Sequence, residues 1–157
     1  MTDDKIIKTR VAVYIRIGGS GDFVQSCGKQ KAHFCDLEAQ NPGWEIIGYY
    51  SDLGPDSRRQ PALKRLMADC EAGRVDLIVT KSFSRISRSM PALMETVRKL
   101  AFSKPPVGIY FEDSKLDTRN RESFLLLTMC EAMALREGGD AQLAQYMKLL
   151  TRRKGGF

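Results

Sequence analysis

Hydroxyl and guanidinium side chains follow three apolar, β-branched segments of this 157-residue sequence. Such segments are typical of buried strands, and parallel strands bring their carboxyl ends to one edge of a sheet, where ligands bind in open α/β folds. The side chains concerned are Arg16 and Ser20 after the first segment, Asp52, Arg58 and Arg59 after the second, and Lys81, Arg85 and Arg88 after the third. We therefore expect these groups to converge on one site.

Guanidinium groups around one hydroxyl suit phosphodiester chemistry better than they suit a protein core. A buried guanidinium must be paired or solvated, whereas fixed guanidinium donors stabilise the extra negative charge of a phosphodiester transition state. The three-residue spacing of Arg85 and Arg88 predicts that both lie on one side of a helical turn. The same spacing is typical of a solvated arginine loop, so the spacing leaves both interpretations open.

Strands and helices alternate along the chain and would position these residues. Apolar runs predict strands at residues 11–17, 44–50, 77–80 and 107–111. Helical spacing predicts helices at residues 23–39, 61–72, 91–102 and 122–137, then a break at Gly138 and Gly139 and a short helix at 141–152. The pattern predicts an α/β fold: a parallel-rich sheet of four or five strands, helices on both faces and a long C-terminal helix.

Length and charge indicate one domain with a polyanionic partner. A chain of 157 residues with 43% apolar content buries roughly 70% of its unfolded surface, so we expect a single domain over residues 1–157. The net charge of +6 is uneven, since residues 81–104 contain one acidic side chain among many basic ones. A nucleic acid would bind such a surface, although a solvated face has the same composition. No apolar run or leader indicates a membrane, which predicts a cytoplasmic protein.

Cysteine and histidine usage argues against several other sites. The four cysteines form no CxxC pair and the single histidine is His33, so no zinc site is predicted. No GxSxG elbow accompanies His33, which we expect to be partly buried in a helix with a structural role. We interpret the cysteines as small core residues in a reducing compartment.

Five sequence blocks together resemble one known family. They are YIRI at 14–17, SCGKQ at 26–30, DLG at 52–54, AGRVDLIVTKSFSRISR at 72–88 and LDT at 116–118. With the helix at 122–137, they look like the catalytic domain of the serine recombinase (resolvase/invertase) family, and most like its large-serine-recombinase branch. The resemblance spans residues 11–137, and the block at 72–88 is its most specific part.

The resemblance implies DNA strand breakage and rejoining. In that family a serine hydroxyl attacks a DNA phosphodiester and forms a transient phosphoserine link, with arginines around the phosphate and no metal or nucleotide cofactor. The matching catalytic positions are Arg16, Gln30, Asp52, Arg85 and Arg88, with Arg59 near another family arginine that falls on Gln60; Arg58 and Lys81 are further DNA-phosphate contacts. The family also associates through its long helix, which implies a homodimer or larger recombinase assembly through residues 122–137.

The position of the nucleophile differs from the family pattern. The family serine stands two residues after the first arginine, and here that residue is Gly18. A two-residue insertion in the loop would give the role to Ser20. Glycine has no nucleophile, so the alternative is a non-catalytic module that binds DNA or a recombinase partner.

Two further expectations concern ligands. The glycines at 18–21 could cradle a small nucleotide, but neither GxxxxGK[ST] nor GxGxxG is present. The chain contains no helix-turn-helix or zinc-ribbon pattern, so we expect no DNA-recognition domain within it and DNA contacts made to phosphates.

Overall fold

The computed structural model describes residues 7–19 and 21–137. Its strands are β1 (Thr9–Ile17), β2 (Trp44–Leu53), β3 (Leu77–Thr80), β4 (Gly108–Phe111) and β5 (Leu116–Asp117). Its helices are α1 (Phe23–Gln40), α2 (Pro61–Glu71), α3 (Phe83–Ile86), α4 (Met90–Ala101) and α5 (Arg121–Glu137), and a 3₁₀ turn covers Pro55–Arg59. The predicted break at Gly138 and Gly139 and the predicted helix at 141–152 lie outside the described residues.

The strands of the described residues form one sheet in the order β2-β1-β3-β4-β5, and most of it is parallel. β1 and β2 pair in parallel with Arg16 opposite Asp52, whereas β4 and β5 pair antiparallel. The predicted α/β class, with its C-terminal helix, is therefore confirmed. β5 was not predicted, because its two residues are too few to show an alternating pattern.

The chain divides into two compact units, and the division falls between Leu77 and Ile78 within β3. The N-terminal unit contains β1, α1, β2, the 3₁₀ turn and α2. The C-terminal unit contains α3, α4, β4, β5 and α5. The single domain over residues 1–157 stays a prediction.

In the N-terminal unit, β1 supplies much of the buried core, and local residues determine where α1 and α2 begin. Residues 11–15 of β1 are buried because their side chains are apolar and mostly β-branched or aromatic. α1 begins after Asp22, whose Oδ1 accepts a hydrogen bond from the backbone N–H of Gln25 at 3.0 Å. α2 begins at Pro61, where the missing N–H costs no helical hydrogen bond.

In the C-terminal unit, apolar side chains of β3, α3 and α4 form the core. Phe83 of α3 packs edge-to-face on Phe111 of β4, with ring centroids 4.3 Å apart. Burial of Phe83 and Ile86 explains why one helical turn forms within the arginine-rich segment that follows β3. Arg98 of α4 donates to Glu131 of α5 at 2.9 Å, which ties these two helices together.

Two expectations about single side chains are wrong. His33 is exposed, with its ring edge-on to that of Phe34, so it has no buried structural role. Cys35 is exposed on α1, with Sγ 3.0 Å from Tyr49 Oη, whereas Cys27, Cys70 and Cys130 are buried as predicted. Within the part of the chain that the structure describes, no helix has the length and apolar character that crossing a membrane requires.

Candidate functional site

The candidate residues of the N-terminal unit lie at the carboxyl ends of β1 and β2 and on the elements that follow. Arg16 and Asp52 are each the next-to-last residue of their strand and are opposite one another in the pairing register. Arg58 and Arg59 lie on the 3₁₀ turn with exposed side chains, and Gln30 lies half-buried on α1. Ser20 lies outside the described residues.

Asp52 is a buried carboxylate that holds the start of α2. Its side chain is 2% exposed. Oδ1 accepts a hydrogen bond from the Ala62 N–H at 2.8 Å, and Oδ2 accepts one from the Leu63 N–H at 3.2 Å. These N–H groups belong to the first turn of α2, which has no helical acceptors for them, and the positive end of the helix favours the negative charge. The contacts therefore give Asp52 a positioning task that its place in the DLG block did not reveal.

Tyr14 and Gln60 complete the buried network around Asp52. The Tyr14 hydroxyl donates to Asp52 Oδ2 at 2.6 Å and accepts from Gln60 Nε2 at 3.4 Å. Burial, and next the hydrogen bond to Asp52, raises the pKa of Tyr14 far above its usual range, so the hydroxyl stays protonated as a donor. Gln60 adopts a left-handed backbone with φ 49°. The sequence singled out Tyr14 as part of a motif but gave no indication of this network.

Arg16 shares a sheet face with the same network. Tyr14 and Arg16 are two residues apart on β1, so their side chains point to the same face. The positive charge of Arg16 acts on Tyr14, where it opposes part of the rise in the pKa of Tyr14. Arg16 is half-buried and its Nε atom is fully buried. Arg16 thus lies on the same sheet face as the Asp52 network, with only part of its surface toward solvent.

Gly18, the residue at the ungapped nucleophile position, contacts the 3₁₀ turn. The Gly54 N–H donates to the carbonyl of Ile17 at 2.8 Å, which joins the end of β2 to the end of β1. A Cβ placed on Gly18 would lie 3.2 Å from Ser57 Oγ. Ser57 is 3% exposed. No local sequence pattern relates Ser57 to Gly18, because the two residues are far apart along the chain.

The candidate residues of the C-terminal unit lie on and around α3. Lys81 and Arg88 are exposed, and Arg85 is half-buried with its Nε atom fully buried. The helical-turn prediction for Arg85 and Arg88 is wrong, because α3 ends at Ile86 and Ser87 has an extended backbone with φ −153°. Arg88 therefore leaves the helix, and the two guanidinium groups are not held together by helical spacing.

Asp113 is an acidic side chain beside Lys81 that the sequence did not suggest. Its N–H donates to the carbonyl of Lys81 at 2.9 Å. Within the described residues, Asp113 Oδ1 and Ser114 Oγ are buried without a hydrogen-bond partner. Burial raises the pKa of the Asp113 carboxyl, and the charge of Glu112 adds to the rise. Hydrogen bonds from the backbone N–H groups of Ser114 and Asp113, and the charge of Lys81, lower the same pKa.

The sequence and the fold define this protein's class. Residues 11–155 match the family described as "Resolvase, N terminal domain". The chain belongs to the resolvase family, which confirms the family prediction. No curated protein sequence matches it.

Two solved structures share the fold. One is the N-terminal catalytic domain of TP901-1 integrase, with 23% identity, 82% of this chain and 96% of that chain covered, and a TM-score of 0.64. The other is a resolvase family site-specific recombinase from Streptococcus pneumoniae, with 18% identity, 94% and 99% covered, and a TM-score of 0.65. At these identities the likeness describes the fold, and the roles of individual residues need their own argument.

Proposed function

We propose that this chain breaks and rejoins DNA as the catalytic-type domain of a site-specific serine recombinase. The observation that carries the proposal is the match of residues 11–155 to the resolvase N-terminal domain. Its substrate is a DNA phosphodiester, which agrees with the basic composition of the chain and with the guanidinium groups at the strand ends. Because DNA is the substrate, we also propose that the protein acts in the cytoplasm.

Side chains supply the proposed chemistry. A serine hydroxyl attacks phosphorus, a bond from phosphorus to a deoxyribose oxygen breaks, and that oxygen takes up a proton. Arg16, Arg85 and Arg88 bind the phosphate and stabilise its added negative charge. Lys81, Arg58, Arg59 and Gln30 contact the DNA around it, and Asp52 positions the site. The sequence candidate for the hydroxyl is Ser20.

A second copy of this chain is the proposed partner, through α5. Leu125, Met129 and Met133 are 59%, 55% and 45% exposed. Their spacing of four residues places them in one stripe along the helix. Leu127, within the same predicted helix, is fully buried within the chain and so cannot belong to this stripe. Exposed apolar stripes of this kind are typical of association surfaces.

The second candidate function is a non-catalytic partner of DNA or of an active recombinase. Gly18 favours it, because the ungapped nucleophile position carries no side chain. Such a module would use the same guanidinium groups to bind phosphate. The two functions differ in one property, the formation of a covalent link to DNA.

A salt titration of DNA binding tests the phosphate contacts. We expect the 157-residue chain to bind a short duplex with a dissociation constant of about 10⁻⁴ to 10⁻⁶ M at physiological salt and little sequence preference. Arg88→Ala removes a proposed contact, and Arg74→Ala is the matched control, since Arg74 is an exposed arginine that pairs with Asp69 and is not among the candidate site residues. Fluorescence anisotropy is expected to show weaker binding and a smaller salt slope for Arg88→Ala than for Arg74→Ala. Equal effects of the two variants would contradict the proposed site.

A further inference from the structure

Ser57 lies beside Gly18, the position at which the family resemblance places the nucleophile. Gly18 itself has no side chain, yet a Cβ there would lie 3.2 Å from Ser57 Oγ. Backbone hydrogen bonds fix this approach: Gly54 N–H donates to Ile17 at 2.8 Å, and Ser57 N–H donates to Gly54 at 3.1 Å. The fold therefore places the Ser57 hydroxyl, on the 3₁₀ turn, next to the space that a side chain at residue 18 would fill.

We propose that Ser57 Oγ is the nucleophile of this chain, an inference that rests on the proposed recombinase function. Ser57 Oγ forms a bond to the phosphorus of a DNA phosphodiester, and the bond from phosphorus to one deoxyribose oxygen breaks. The proton lost by the serine hydroxyl is balanced by the proton that the departing sugar oxygen gains. Attack by that sugar hydroxyl on the phosphoserine reverses each change, so no further reactant is needed.

The surroundings of Ser57 suit this step. Arg58 and Arg59 follow it directly and are exposed, so a phosphate bound there meets positive charge. The N-terminal end of the turn is held by the Ser57 N–H, which donates to the Gly54 carbonyl at 3.1 Å. Its C-terminal end is held by Gln60, whose N–H donates to the Ser57 carbonyl at 3.2 Å and whose side chain donates to Tyr14. A nucleophile on a fixed turn loses little freedom when the substrate binds.

Access to Ser57 passes the glycine backbone. Ser57 is 3% exposed, so DNA must displace the residues beside it before attack. Gly18 and Gly19 are exposed and carry no side chain, and a Cβ on Gly19 would meet no atom within 4 Å. Neither residue 18 nor residue 19 therefore has a side chain that would obstruct a phosphate approaching Ser57 from this side.

Covalent trapping on DNA, followed by mass spectrometry, tests the assignment. The full chain is incubated at high concentration with a nicked suicide duplex, and adducts are mapped by fragmentation. We expect the nucleotide mass on Ser57, a loss of adduct of at least about 1,000-fold in Ser57→Ala, and no loss in Ser26→Ala, which removes an exposed hydroxyl from α1. In the exchanged variant Gly18→Ser with Ser57→Gly, we expect the adduct on residue 18.

The other outcomes overturn the assignment. An adduct on Ser20 that survives Ser57→Ala makes Ser20 the nucleophile and leaves the recombinase function standing. Absence of an adduct in both the unaltered chain and the exchanged variant, with salt-dependent DNA binding retained, excludes Ser57 and favours the non-catalytic partner. Loss of DNA binding in the unaltered, folded chain would instead contradict the proposed function itself.

Discussion

At the scale of single residues, buried polar groups explain more of the site than the exposed arginines do. Gln60, Tyr14 and Asp52 form a chain of hydrogen bonds in which the Asp52 carboxylate also accepts from two N–H groups of α2. A buried acceptor that loses a donor costs about 1–3 kcal/mol. The network therefore stabilises the N-terminal unit on the sheet face that it shares with Arg16.

Removal of the Tyr14 hydroxyl tests this network. We expect Tyr14→Phe to lower the free energy of unfolding by about 2 kcal/mol, because Asp52 loses a buried donor. Tyr49→Phe is the matched control, since its hydroxyl lies 3.0 Å from Sγ of the exposed Cys35, and should change stability by less than about 0.5 kcal/mol. Urea denaturation measures the free energy of unfolding of both variants. Similar decreases in the two would show that the Tyr14 hydrogen bond stabilises the chain no more than the Tyr49 contact does.

Asp113 gives a residue-scale prediction that depends on pH. Burial raises the pKa of Asp113 in the folded chain, so the native state holds its proton more tightly than the unfolded state does. Such a group contributes stability at pH values below its unfolded pKa, and that contribution is lost as pH rises through the folded pKa. We expect Asp113→Asn to raise Tm relative to the unaltered chain more at pH 7 than at pH 4. A Tm difference that is the same at both pH values would contradict the burial argument.

At the scale of elements, the sequence was least informative about the short helix α3 and about which side of α5 faces the core. α3 has four residues, and its formation depends on burial of Phe83 and Ile86 and not on helix propensity. α5 buries Leu127 on one side and exposes Leu125, Met129 and Met133 on another. Because apolar residues lie on both sides of α5, the sequence could not show which side faces the core.

A charge on the exposed side of α5 tests self-association. We expect Met129→Glu to shift the chain toward monomer in sedimentation velocity at high micromolar concentration, because the acid would be buried in an apolar contact between two copies. Glu122→Gln, at the exposed first turn of α5, is a control that leaves the stripe unchanged. A chain that is already monomeric at these concentrations would remove α5 as the association surface.

At the scale of the whole molecule, the proposed function requires Arg16 and Arg85 to act on one phosphate. They belong to different compact units, Arg16 to the N-terminal and Arg85 to the C-terminal one. Their convergence stays a prediction of the parallel-sheet argument, in which strand ends share an edge. Measurements of DNA-binding free energy can test directly whether the two arginines converge.

A double-mutant cycle on DNA binding measures this convergence. We expect Arg16→Ala and Arg85→Ala each to weaken binding, and the double variant to lose less than the sum, with a coupling energy of about 1 kcal/mol. Arg16→Ala combined with Lys99→Ala, which removes an exposed charge from α4, should be additive. Additivity in both pairs would mean that the two arginines do not share a phosphate.

The sequence by itself determined the fold class, most element positions and the family. β1 and β3 contain continuous apolar segments rich in β-branched residues, and α2 starts at a proline, so local sequence indicates these elements. The blocks at 14–17 and 72–88 carried the family, which the match over residues 11–155 confirms.

Only the tertiary structure decided which groups meet. Asp52 contacts α2 through residues that follow it by ten and eleven positions, and Ser57 approaches Gly18 across two strand ends. The burial of Leu127 and the exposure of His33 likewise depend on what packs against each helix. Hydrogen bonds and burial are properties of neighbours in space, and a sequence pattern records only neighbours along the chain.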